Sequence, residues 1–407
     1  MSVAVSESLQ TLGPDSSKQS GLAKALGHWL ALAIRCAIGV WMCTQFLTSL
    51  ILVGWTFRWM RSRAWQGWWK RGAAPEGSCF CDFACTLGPT LAGAYSPRWF
   101  FAERAAEIWA APRADGRPPG FWTRLRRLPA ILIGSLAANV AQGLAALACT
   151  LVITLPGTFL MLAGWKYGWD NSFFKGYEQT YIGRIVFLIG AFTFVGAMIY
   201  APMAWAHMAA AGDPRAFFQG RLVRKLVRAR LGLSTLLAAL FVLGNMLVMV
   251  AWARIGGITS EMSQIEDYTP TQLAAFTRGY VLNTCYFVFP IYVGLHLLAA
   301  RVYQGALLKV LAREPRLADD LPPSTRDGLQ ALELIPTDPL KRRHPIVAVV
   351  LGTTKRGTNA VLWVALFVLW FMFVMQMMVM EFLHHHEFLT FLNPVLVHLP
   401  CPRWIAP

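Results

Sequence analysis

Two histidines sit inside long apolar runs, where an ionisable side chain is costly and draws a functional reading by default. His207 and His296 lie toward the same end of two predicted spans, five residues after Pro202 and six after Pro290. Two imidazoles at one depth could hold a haem b between helices, because haem iron accepts axial histidine. The plainer reading is a neutral imidazole bonded to a backbone carbonyl, and the further His pair that would strengthen the haem reading is absent from the spans.

A second constellation closes the last apolar run. Glu381, His384, His385 and His386 follow one another, with Glu387, His398 and Cys401 further on. On a helix Glu381 and His385 share a face. Imidazole with carboxylate suits a divalent metal such as zinc or copper. The spacing matches no established site, and a polar helix end at the membrane surface is the plainer reading. Cys79, Cys81 and Cys85 supply three thiols with no evident fourth zinc ligand.

A basic helix is the clearest single pattern. Phe218, Leu222 and Leu226 recur every four residues, with Val223 and Val227 beside them, and form one apolar stripe. Arg221, Arg224, Lys225 and Arg228 fall opposite. Such a helix is expected to lie in the interface, its apolar face in the acyl boundary and its cations on lipid phosphates. A charged connector that obeys the positive-inside bias is the plainer alternative. No Gly-x-Ser-x-Gly, His-Glu-x-x-His, phosphate-loop or Rossmann pattern occurs, so an enzyme is not expected.

The elements that must position these residues follow from composition. Hydrophobic residues make up 56% of the 407 and charged residues 14%, against about a quarter in soluble domains. The net charge of +16 sits in blocks between apolar runs. A nucleic-acid protein would instead spread basic residues over a polar fold. The expected fold is an all-α integral membrane protein with six spans near 36–57, 129–154, 185–209, 231–253, 279–300 and 359–380. Residues 1–20 read as a disordered tail and 21–400 as the membrane domain. The loops 58–128, 210–230 and 301–358 hold 28 of the 37 Lys and Arg. That asymmetry places them in the cytoplasm, and the expected location is the inner or plasma membrane of a bacterium. Both termini then fall outside, unless 21–57 forms a hairpin that returns the N-terminus. Residues 312–343 are the most linker-like part.

A short motif recurs after each odd span: Gln66-Gly67, Gln219-Gly220 and Gln304-Gly305, each followed by basic residues. The recurrence suggests three parallel span–basic amphipathic helix–span units. No Asp or Glu falls within a predicted span, so a proton- or sodium-coupled carrier lacks an evident relay. Asn139, Gln142, Asn245 and Gln376 suit interhelical hydrogen bonds, and Gly134, Ala137, Ala138, Ala141 and Ala145 suit close helix packing. The function expected is that of a non-enzymatic membrane component. It would engage anionic lipid or other membrane proteins through the basic helices, with no cofactor. A permease with a path between the units is the first alternative, and a haem or metal protein the second.

Overall fold

A computed structural model of the chain describes residues 16–73, 80, 83, 121–174, 180–256, 268–336, 345–383 and 389–402. Helices are the only regular elements among them. In chain order they are α1 (Ser16–Met42), α2 (Phe46–Trp69), α3 (Phe121–Phe174), α4 (Thr180–Ala211), α5 (Gly220–Ala229), α6 (Leu231–Gly256), α7 (Pro270–Leu311), α8 (Pro323–Ala331), α9 (Pro345–Leu383) and α10 (Leu389–Leu392). Tight turns at Pro214–Phe218 and Pro315–Ala318 link α4 to α5 and α7 to α8. Five helical stretches are long and apolar enough to cross a membrane: Leu128–Gly168, Tyr181–Ala211, Leu231–Trp252, Pro270–Leu311 and Arg356–Phe382.

Physical causes of these boundaries are local. Thr269 caps α7 and forms a capping box with Gln272, with Pro270 in the first turn. Gly212 ends α4 at φ +70, the left-handed conformation that glycine adopts without penalty. Its N–H donates to the Met208 carbonyl at 2.9 Å. Pro156, Pro202 and Pro290 lie inside helices that continue past them. The second predicted span is therefore part of a helix that runs on past Pro156 to Phe174. The helix expected over 36–57 is broken at Cys43–Gln45, and the tail expected over 1–20 is already helical from Ser16.

The helices close around α2. It packs against α1, α3, α4 and α7 and buries Trp55, Phe57, Met60, Trp65 and Trp68. The pair α3–α4 forms the most extensive contact and does so through glycine. A side chain at Gly164 would meet the backbone of Gly183 and Phe187, and one at Gly157 that of Gly190 and Phe194. The helix axes thus approach closely, which is how helices adhere where water supplies no driving force. The small-residue face expected of the second span is the wrong one. Ala137, Ala138 and Ala141 point outward, and Gly134 has nothing within 4 Å of where a Cβ would lie. Asn139 and Gly143 instead pack on the backbone of Gly54 and Leu50. Apolar side chains such as Phe159, Ile189, Phe192 and Val364 face outward, as lipid requires.

At one end of the bundle the C-terminal turns of α2, α4 and α7 gather with α5 and α8 into a polar cap. Residues 312–336 belong to this cap and are not a linker. Leu317, Leu321, Leu329 and Leu332 are buried, and Ala73 N–H donates to the Leu332 carbonyl at 3.2 Å. The α5 helix is part of the same cap.

Candidate functional site

The three Gln-Gly motifs converge in this cap, although they do not begin three equivalent helices. Gln66-Gly67 lies within α2 and Gln304-Gly305 within α7, and only Gln219-Gly220 opens a separate helix. The indole N–H of Trp68 donates to the Gln304 carbonyl at 3.2 Å, and that of Trp65 to the Ala210 carbonyl at 3.1 Å. Gly67 leaves the space that the Gln304 carboxamide fills, and Gly305 leaves the space for the Arg230 guanidinium.

His207 sits at the meeting point, fully buried. Its Nε2 lies 2.6 Å from Gln219 Oε1 and its Nδ1 2.9 Å from the Tyr303 hydroxyl. An amide oxygen only accepts, so Nε2–H donates to Gln219 and Nδ1 accepts from Tyr303. The imidazole is thus a neutral tie between α4, the start of α5 and α7. A metal or haem iron at either nitrogen would have to displace one of these partners.

His296 lies apart from that tie, stacked on Trp205 at 4.9 Å and flanked by Phe57 and Phe241. Its Nδ1 is 2.8 Å from the Tyr292 carbonyl, and its Nε2 has no hydrogen-bond partner. No hydrogen bond or ring contact joins the two histidines among the described residues.

Of the second cluster, Glu381 is buried and its Oε2 accepts from the Thr390 backbone N–H at 2.9 Å. His384, His385 and His386 lie outside the described residues, as do Cys79, Cys81 and Cys85. Among the described residues no three His, Cys, Asp or Glu are placed to hold a metal ion. The chain after α10 is packed inward, with Leu396, Val397 and Leu399 buried. His398 anchors it: Nδ1–H donates to the Leu392 carbonyl at 3.1 Å, and Nε2 lies 2.8 Å from the Thr154 hydroxyl, whose single proton it shares with the Thr150 carbonyl.

Burial pushes the His398 pKa down to about 4. The folded protein therefore prefers the neutral ring. The stabilisation is complete above the unfolded value of 6.5 and is lost as pH falls from there toward 4. Full protonation costs on the order of 3 kcal/mol at that site. Protease sensitivity of residues 389–402 is expected to rise over this window in the wild type and to stay flat in His398→Gln. An equal rise in both would exclude His398 as the cause.

The basic helix departs from expectation in one respect. Leu222, Val223, Leu226 and Val227 are all buried against the rest of the protein, chiefly α4 and α7, and not in an acyl boundary. An amphipathic stripe is satisfied equally by either apolar partner, and here protein supplies it. Phe218 alone of the stripe stays outside. Arg221, Arg224 and Arg228 point outward, Arg224 returning one N–H to the Gly220 carbonyl. Lys225 pairs with Glu314. The Tyr200 hydroxyl donates to the Phe217 carbonyl and fixes the turn that enters the helix.

The polar residues of the spans tie helices together. Asn245 Nδ2 donates to Gln376 Oε1 at 3.1 Å, and Gln376 Nε2 donates to the Val242 carbonyl at 3.1 Å, which joins α6 to α9. Beside Asn245 the free space is about 30 Å³, room for about one water.

Among the described residues all regular structure is helical, and five helices long and apolar enough to cross a bilayer point to a membrane protein. No protein-family model, curated protein or solved structure matches it.

Sequence reasoning singled out the Gln-Gly motif only as a sign of repetition. It missed Tyr303, Trp65 and Trp68, which the motif brings together with His207. The available signal was the motif's aromatic neighbours: Trp65 and Trp68 around the first copy and Tyr303 just before the third.

Proposed function

We propose that the protein is a non-enzymatic membrane component with six crossings, whose cationic end faces the cytoplasm and engages anionic lipid or a partner protein. The sixth crossing is α2. Its 24 residues span about 36 Å at 1.5 Å per residue, enough for a 30 Å hydrocarbon core. Arg58, Arg61 and Arg63 lower its hydropathy, but neighbouring helices bury Arg58 and half-bury Arg61, and Arg63 lies exposed in the last turns, which reach the cap.

The observation that carries the functional reading is the state of α5. Its apolar face is consumed inside the cap, so the helix is held fixed with Arg221, Arg224 and Arg228 outward. A rigid cationic face near a bilayer gains about 1 kcal/mol per basic residue from anionic lipid. The Gln376–Asn245 pairing makes a transport path the weaker reading.

Replacing Arg221, Arg224, Lys225 and Arg228 together by Gln is expected to leave the protein folded, because no apolar contact is lost. Anionic lipid or protein that copurifies with the wild type should be depleted by at least about tenfold, from several such contacts at about 1 kcal/mol each. A lipid and partner profile identical to wild type would sink the proposal.

A further inference from the structure

A second cationic feature lies on the cap, with no residue of α5 in its lining. The C-terminal parts of α2 and α7 enclose a cleft of about 220 Å³ whose lining includes Arg63, Lys70, Arg71 and Arg301. Among the described residues no acidic and no apolar side chain lines it, and none of these four cations has an ion-pair partner. Like charges gathered around a polar cleft repel one another, and an anion between them relieves that repulsion.

The floor supplies the independent sign. Gly67 and Gln304 both line the cleft, and the Gln304 carboxamide lies where a side chain on residue 67 would be. Gln304 is 5% exposed, and its Nε2 has no hydrogen-bond partner. A buried amide N–H₂ left unsatisfied costs about 1–3 kcal/mol, and turning the amide from beneath Gly67 toward an acceptor in the cleft would remove that cost. Guanidinium forks above a neutral amide donor match the oxygens of a phosphate. The volume is below that of a drug-sized pocket, about 300 Å³ and upward, and suits a group of phosphate size.

We propose that this cleft binds a phosphate-bearing anion, with Arg63, Lys70, Arg71 and Arg301 supplying charge and Gln304 Nε2 a directed donor. The same chemistry is offered by a soluble phosphate compound or by a lipid headgroup, and Trp69 at the end of the same helix marks an interfacial depth that a headgroup could reach. The proposal does not depend on the reading of α5.

The full-length protein in neutral detergent would be titrated with inorganic pyrophosphate by calorimetry. In a parallel arm, bilayer discs of phosphatidylcholine with or without phosphatidylglycerol would be analysed for retained lipid. Saturable binding in either arm is expected, and the arm that responds names the source. Arg71→Gln with Arg301→Gln should weaken it by at least about tenfold, as the loss of charge-assisted bonds implies. Gln304→Glu should weaken it as much, since it places a carboxylate in the lining that would face the anion. Arg71→Gln/Arg301→Gln removes only exposed side chains and keeps the test valid if Gln304→Glu misfolds. In the pyrophosphate arm the α5 variant with Arg221, Arg224, Lys225 and Arg228 neutralised should bind normally; in the lipid arm the cleft variants should deplete lipid further in that background. No saturable binding in either arm overturns the proposal. So does equal weakening of pyrophosphate binding by the α5 variant, which would mean diffuse charge attraction and no site.

Discussion

Gly164→Leu is expected to separate α3 from α4 and to leave the protein unable to hold a single compact state in detergent. A Cβ at Gly164 would lie 2.5 Å from Phe187 N and 2.6 Å from Gly183 O. On the facing helix, one at Gly183 would lie 2.7 Å from Gly168 Cα and 2.8 Å from Gly164 O. Every obstructing atom is backbone, so no side chain can swing aside. The helices must move apart, and the pair Gly157–Gly190, seven residues along each helix, is loosened with them. Between apolar helices in lipid, dispersion at close range is the main attraction, and it falls away within an ångström. Two effects oppose each other in the milder Gly164→Ala. Helix propensity favours alanine by about 1 kcal/mol, while overpacking costs about 1–3 kcal/mol or more. With backbone on the receiving side overpacking wins, and a net loss is expected. Gly134→Ala reverses the sign, since Gly134 has open space where the Cβ would go. It should be neutral or stabilising by up to about 1 kcal/mol. Thermal unfolding followed by monodispersity would show the order Gly134→Ala, wild type, Gly164→Ala, Gly164→Leu. Equal behaviour of the two alanine variants would mean that α3 and α4 do not meet through these glycines.

Long apolar runs were the legible part of the fold. The spans expected at 185–209, 231–253, 279–300 and 359–380 each fall inside one observed helix, because continuous hydrophobicity leaves the backbone no other way to satisfy its polar groups in lipid. The first predicted span was harder. Hydropathy falls at Arg58, yet α2 runs on to Trp69. Tertiary burial holds that turn, with Trp65 and Trp68 wedged against α4 and α7, and hydropathy does not register it. The cap at 312–336 was hidden for the opposite reason. Its buried leucines are too sparsely spaced among Asp, Arg and Pro to form a periodic stripe. The stripe of α5 was legible, but its destination was not, since periodicity shows that a face is apolar and not what covers it. The basic cleft shows the general difficulty. Its walls come from two helices that the Trp68–Gln304 bond joins across 236 residues. Neither wall alone carries a motif beyond Gln-Gly. A composite site of this kind emerges only when packing brings the two helices together.

Trp68→Ala should be the most damaging substitution within the cap, because Trp68 is where two of the Gln-Gly segments are fastened. The indole is fully buried. It meets Trp65 edge-on at 5.0 Å and Tyr303 at 5.9 Å, and its N–H holds the Gln304 carbonyl. Truncation removes a large apolar volume and a second hydrogen bond to a carbonyl that keeps its helical partner, and buried Trp→Ala changes cost about 3–5 kcal/mol. Trp41 has 54% of its surface exposed, and Trp41→Ala should cost far less. Two further variants separate the sources of the loss. Trp68→Phe keeps most of the volume and gives up the N–H donor, for about 0.5–1.5 kcal/mol. Gln219→Leu keeps Trp68 and leaves His207 Nε2–H without an acceptor, at a similar cost. If the segments form one tie through Tyr303, which touches both Trp68 and His207, these two losses should not add. The double variant should then lose less than the sum by at least about 0.5 kcal/mol, the level at which contacting residues depart from additivity. Strict additivity in unfolding midpoints would show two independent anchors, and the convergence of the Gln-Gly segments would then be a matter of proximity alone.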